Sequence, residues 1–331
     1  MKRLALAVVL IVLASAPAVA AAPTAKELLR YVPAAAEVVV AMDVAALRDH
    51  PMVQTWLIEH QTAWSDAHFD AQDFLRDAGL DLRHDVDSMV VAMVPRAGGV
   101  RGVAAFGGRF DPIALGVALT KRGSQSVAIG SVTALRLQDP QHANPNAPLV
   151  YLTRDVVLAA DEETLRATIA APPQPNVLVG REVAAGRLDV AAPFWMVAAV
   201  PQHVRQGTSD LADAPADGAA EAFRSAVTAS RAVQRVTVQA SLGDDLVLAG
   251  WAGTDTEENA GLLRDTIKGA IAAARLHVQD QAPELVEVLR NIKVSVEGSE
   301  VRGSAEVPVA LIEKLVKERQ QRCVANAPLP S

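Results

Sequence analysis

Two short stretches concentrate the side chains from which a metal or acid–base site is usually built. Asp66, His68 and Asp70 stand together in SDAHFDAQD, and Asp81, His84, Asp85 and Asp87 in DLRHDVDS. Clustered carboxylates suit a hard cation, and a histidine beside them suits proton transfer. The spacing argues against both. Positions 81–87 lack the glycine and the distal glutamate of a calcium loop, and no H-E-x-x-H or paired-histidine helix supplies zinc ligands. The remaining histidines, His50, His60, His142, His203 and His277, are dispersed along the chain. Both stretches are expected to be solvated turns and helix caps, with no metal and no cofactor.

Nucleophilic catalysis has no footprint either. There is no G-x-S-x-G elbow and no S-x-x-K pair, and the sole cysteine, Cys323, lies in the tail RQQRCVANAPLPS. Asp244 and Asp245 fall in an expected hairpin turn, and Glu162 and Glu163 in an expected first helical turn. No catalytic residue is assigned. A hydrolase assembled from distant acids and histidines would leave no local trace and stands as the alternative. Asp43, in EVVVAMDVAALRDHP, ends a valine-rich run and begins a helical one. A carboxylate there accepts hydrogen bonds from unpaired helix N–H groups, so it is expected to be a cap. Trp195 and Trp251 remain, each on an expected strand. They would line a shared apolar groove if two halves faced one another, or else fill the core.

The elements that position these residues follow from periodicity. Val38–Met42 is a continuous apolar run, expected to be a strand buried on both faces, followed by a helix on which Val53, Trp56 and Leu57 share a side. DSMVVAMVPRAGGVRGVAAFGGRF (87–110) reads as a hairpin turning at Gly98 and Gly99. Asp111 and Pro112 open a helix, and short strands follow at SVAIG, TALRL, LVYLT and VVLAA. Asp161 caps another helix. Residues 171–190 read as an irregular connection, PFWMVAAVP (193–201) as a core strand, and 205–220 as a mobile loop. RVTVQASLGDDLVLAGWAG (235–253) is a hairpin, Thr254 to Glu257 a capping box for a helix to Leu276, and APELVEVLRN a further helix. A last hairpin turns at Gly298-Ser299, and Pro308 starts a final helix.

Composition narrows the function. The chain has 331 residues, 50% hydrophobic and 21% charged, with only 4% aromatic. That excludes a disordered chain and leaves few rings for stacking on sugars or unpaired bases. Net charge is −7, and no run of Lys or Arg relieves it, so nucleic acid is excluded as a partner. At the N-terminus, MKRLALAVVLIVLASAPAVAAAPT has two basic residues, an apolar run and then small residues. Ala18-Val19-Ala20 fits a signal-peptidase site cut between Ala20 and Ala21. The competing expectation is a retained anchor over residues 4–23, which carry no charge. An exported chain with one thiol has no internal disulfide and must rest on its core.

YVPAAAEVVVAMDVAALRDHP resembles the first mature strand of a broad group of exported bacterial proteins of unknown function, V-P-x-x-A-x-x-V-V-x-x-D-V-x-x-L-R. The resemblance continues in DVVLAADEETLRATI, PFWMVAAVP and VSVEGSEVRGSAEVPVALIEKL, over most of the chain. It implies a fold and no catalytic residues. A strand–helix–helix–hairpin–helix order also recurs about 200 residues apart, GVRGVAA…DPIALGVALTKR matching EVRGSAE…VPVALIEKLVKER. The expectation is an α+β fold, an antiparallel sheet with helices packed on one face and a duplicated unit. Its divisions are a signal peptide at 1–20, halves at 24–170 and 221–322, a connection at 171–220 with a core strand at 193–200, and a tail at 323–331. The expected role is a non-enzymatic binding protein of the periplasm or extracellular space, taking an apolar small ligand or another envelope protein.

Overall fold

A computed structural model describes residues 21–54, 71–96, 99–138, 147–170, 174–200, 231–279 and 282–315. Among these residues one sheet of 12 strands carries the whole architecture. Helix α1 (Ala25–Leu28) and a 3-10 turn (Leu29–Tyr31) precede β1 (Val38–Asp43), α2 (Val44–Arg48), α3 (Ala71–Ala78) and α4 (Leu82–Asp85). The hairpin β2 (Val86–Arg96) and β3 (Gly99–Gly108) leads to α5 (Pro112–Lys121). Four short strands follow, β4 (Gln125–Ile129), β5 (Val132–Arg136), β6 (Leu149–Leu152) and β7 (Val156–Ala160). Then come α6 (Glu162–Ala170), α7 (Val177–Ala184) and β8 (Phe194–Ala199). The last part holds the hairpin β9 (Val233–Leu242) and β10 (Asp245–Thr254), α8 (Glu257–Val278), α9 (Pro283–Asn291), and the hairpin β11 (Lys293–Glu297) and β12 (Glu300–Pro308).

The order across the sheet is β11-β12-β10-β9-β8-β1-β2-β3-β7-β6-β5-β4, and every neighbouring pair is antiparallel. The fold is therefore α+β, as the periodicity implied. The seam between the two parts of the chain is β1 against β8, from Val38 opposite Ala198 to Met42 opposite Phe194. On each side of this seam the sheet runs lone strand, hairpin, then the second strand of a later hairpin. Within that order β10 stands where β3 stands, and β12 where β7 stands. The matching strand segments at 99–105 and 300–306 thus occupy different places.

Local chemistry explains where helices begin. Asp43 accepts from Ala46 N–H at 3.0 Å and caps α2, so its carboxylate has the role that its position suggested. Asp111 accepts from Ile113 and Ala114, with Pro112 at the first helical position. Asp161 accepts from Thr164 N–H. Two expectations need correction. The connection at 171–190 contains α7, because Asn176 caps Val179 N–H and simultaneously donates to the Pro33 and Ala36 carbonyls. The cap of α8 is Thr256, accepting from Asn259, whereas Thr254 donates to the Thr256 and Ser299 carbonyls and ties the helix start to the last hairpin. Pro308 closes β12, and helical residues follow it.

Helices cover the sheet on both faces rather than one. On the first face Val39, Ala41, Val90, Leu158, Trp195 and Val197 pack with Leu28 of α1, Leu165 of α6 and Leu178 of α7. Each fully buried Leu or Val there contributes about 1.5–3 kcal/mol. On the second face, α3 and α5 pack over Phe106, Leu152 and Val157, with Phe110 and Leu115 at the centre. At the other end of that face α8 packs Ala260 and Leu263 against Val301, Val294 and Val296.

Candidate functional site

Between those two helical packages lies the second face of β9, β8, β1 and β2. Three alternate residues from each strand point that way and stand in register as a grid. Met93, Val91 and Met89 of β2 oppose Val38, Val40 and Met42 of β1. These oppose Ala198, Met196 and Phe194 of β8, which oppose Val236, Val238 and Ala240 of β9. All twelve are apolar. Eleven are half-buried, and Met93 is 40% exposed. On the opposite face of the same strands Val39, Val90, Trp195 and Val197 are fully buried. The expectation that Val38–Met42 would be buried on both faces is therefore corrected: burial alternates along β1.

Four strands at about 4.8 Å spacing make a floor roughly 15 Å wide. Helices about 10 Å in diameter wall it on both sides, α3 and α5 over the strands beyond β2, and α8 beyond β9. One end is crossed by the segment after α2, where His50 Nε2 donates to the Gly243 carbonyl at 3.1 Å. The His50 Nδ1 accepts from Met52 N–H, which places the ring proton on Nε2. This contact joins the first part of the chain to the β9–β10 turn. Four of the six methionines of the protein, Met42, Met89, Met93 and Met196, line this floor. Flexible, polarizable thioethers accommodate varied apolar shapes, which is their common use at binding surfaces.

The two tryptophans lie elsewhere. Trp195 and Trp251 both point to the first face, on strands separated by β9. Trp195 is 0% exposed and belongs to the core, with no hydrogen-bond partner for its Nε1 among the described residues. Trp251 is half-buried beneath the Arg302 guanidinium, 5.5 Å from its ring centroid. Neither lines the methionine floor. The period-2 run of Met and Val, with no polar residue on the outward positions, was the sequence signal for it.

A second constellation, missed because its helix was missed, lies under α7. Glu182 is 0% exposed, and Arg187 donates to it at 2.6 Å. Arg181 adds 3.1 Å and Arg235 3.4 Å, while the Thr237 hydroxyl donates at 3.3 Å. Arg187 and Arg235 also both pair with Glu300 at the start of β12. Burial pushes the Glu182 carboxyl up, but the Arg187, Arg235 and Arg181 guanidiniums outweigh it and hold the group below its ordinary 4.5. Burial likewise draws Arg235 below its ordinary value, against the pull of Glu182. Gly253 lies beneath Arg235, and a methyl group there would meet its guanidinium. A carboxylate held this firmly ties α7, β9 and β12 together and has no proton to exchange near neutrality.

The acidic stretch at 81–87 has structural partners. His84 Nδ1 contacts Asp81 Oδ2 at 2.9 Å, Asp85 accepts from Asp81 N–H, and Asp87 pairs with Arg48. Among the described residues no three potential ligands gather to hold a metal ion. Asp66, His68, Asp70, His60, His142, His203, Cys323, Ala20 and the loop at 205–220 lie outside the described residues. Among the described helices none is long and apolar enough to cross a membrane.

No family model matches the chain, and no curated protein matches it. Among solved structures, crystal form III of TP0453 aligns with a TM-score of 0.48 and 9% identity, covering 88% of this chain and 97% of that one. Crystal form I gives 0.46, 9%, 88% and 96%, and form IV 0.45, 10%, 87% and 95%. Likeness at this level assigns neither a family nor a function.

Proposed function

We propose that the protein is an exported, non-enzymatic binding protein of the bacterial envelope, and that it holds an apolar small ligand on the floor formed by β9, β8, β1 and β2. The observation that carries this is the twelve-residue apolar grid, only half-buried on one face of strands whose other face is closed. Soluble proteins rarely leave a contiguous apolar surface of this kind without an occupant. The floor is recessed by the thickness of a helix between its walls, so a thin chain or ring reaches it and a flat protein surface does not. Export rests on the leader and its Ala20–Ala21 junction. The equivalent strand order on the two sides of the seam supports an ancestral duplication, with β2–β3 related to β9–β10 and β6–β7 to β11–β12.

A dansyl-labelled fatty acid tests the proposal. Its fluorescence should rise saturably with the native protein, and Val91→Asp or Met196→Asp should weaken binding about tenfold or more, while circular dichroism stays native. Unchanged binding in both variants, or none at all to the native chain, would overturn the small-ligand proposal. A sedimentation profile showing a dimer that Met196→Asp dissociates would replace it with self-association.

A further inference from the structure

Both tyrosines of the 331-residue chain, Tyr31 and Tyr151, line one cleft of about 860 Å³ on the other face of the sheet. Its walls are the α1 segment with the 3-10 turn on one side, and the β6–β7 hairpin with the end of α6 on the other. Pro23, Val156 and Ile169 supply apolar surface, and Thr153 and Thr168 supply hydroxyls. The N-terminal wall is fastened to the sheet. Pro23 C=O accepts from Ser88 Oγ at 2.5 Å and lies over Gly107, where a methyl group would collide with it.

The charges of this cleft are the informative part. Glu27 is a second anion at this cleft, engaged locally: it accepts from the Thr24 N–H and hydroxyl in a capping box, and these bonds hold its carboxyl below the ordinary value. Arg30 stacks on the Tyr31 ring, 4.8 Å from its centroid, and its charge also acts on the Tyr31 hydroxyl and on Glu27, but it makes no close ion pair with a carboxylate among the described residues. Asp155 accepts one bond, from Thr153, and pairs with no cation among them. Both charges lie near the Tyr31 phenol, which burial pushes above its ordinary value against the pull of Arg30, with Asp155 adding to the rise. A cation and an anion thus face one cleft without meeting each other. The complement of that arrangement is a ligand carrying both charges, with a short apolar body between them.

We propose that this cleft binds an ammonium–carboxylate zwitterion, an amino acid or a short peptide, with the carboxylate on Arg30 and the ammonium on Asp155. The phenols offer hydroxyl contacts and apolar surface. The volume exceeds that of one amino acid, so a tripeptide should fill it better than alanine does. The cleavage proposed after Ala20 would free an ammonium on Ala21 at the same rim, adding to the attraction for the carboxylate.

Calorimetric titration of the chain starting at Ala21 tests this with trialanine, its N-acetyl form, its amide and free alanine. Trialanine should bind, and either blocked form should bind about tenfold more weakly, because each loses one charge contact. Arg30→Gln should equalise trialanine with its amide, and Asp155→Asn should equalise it with the N-acetyl form. Binding should weaken as salt rises. Free alanine binding as well as trialanine would assign the site to amino acids rather than peptides. Equal binding of blocked and free peptides, or no heat with trialanine up to about 10 mM, which corresponds to roughly 3 kcal/mol, would overturn the proposal.

Discussion

The two faces of β8, β1 and β2 carry side chains of the same class and meet opposite fates. On one, Val39, Val90, Trp195 and Val197 lie sealed beneath α1, α6 and α7. On the other, Val40, Val91 and Met196 lie one residue away along the same strands and are only half-buried. Burial is thus decided by what crosses the sheet, and not by the strand itself. A continuous apolar strand run signals two apolar faces, and it says nothing about whether both are covered.

The sharpest test of that difference is one substitution on each face. Trp195→Ala should cost about 3–5 kcal/mol in denaturant unfolding. Met196→Ala, its neighbour on the open face, should cost about 1 kcal/mol or less, since its methylenes are already partly in water. Equal costs would erase the distinction between the faces. Removing the charge under α7 should be nearly as severe as losing the tryptophan. Glu182→Ala leaves Arg187 and Arg235 buried beside an empty place and should cost about 3 kcal/mol or more, measured the same way. Glu182→Met, which fills the volume, should cost less if the arginines can turn toward Glu300.

The same network sets an acid limit. Glu182 has a folded pKa below its ordinary 4.5, so its contribution is fully present above that value and is lost as pH falls through the lowered one. Thermal melting should therefore drop from about pH 4.5 downward, and Glu182→Gln should flatten that drop. The smallest expected effect belongs to Asp43. Asp43→Ala removes one cap from a five-residue helix and should cost about 1 kcal/mol, with no change in ligand binding. A loss of binding without a loss of stability would return Asp43 to the list of functional groups.

Much of the fold was legible because its signals are local. Valine-rich runs, the Gly243 and Gly298 turns, and the Asp43, Asp111 and Asp161 caps all act within a few residues. The site was less legible because its determinants are distant. Val40 and Met196 meet only through strand pairing across 156 positions, and Tyr31 reaches Tyr151 across 120. The network under α7 needed Glu182, Arg235 and Glu300 together, and nothing near any one of them announces the other two. Composition marks the tryptophans as special, whereas only the register of β8 shows which face Trp195 takes.

The seam between β1 and β8 also governs how the protein is made. β1 emerges near the start of synthesis, and its second partner follows more than 150 residues later. Closing so large a loop is slow, and neither side can finish the sheet alone. Until the C-terminal strands arrive, one edge of β1 offers unpaired backbone groups beside a methionine-rich surface. Such an edge invites pairing with another chain. Late closure at the seam makes the middle of the finished sheet the last part to form.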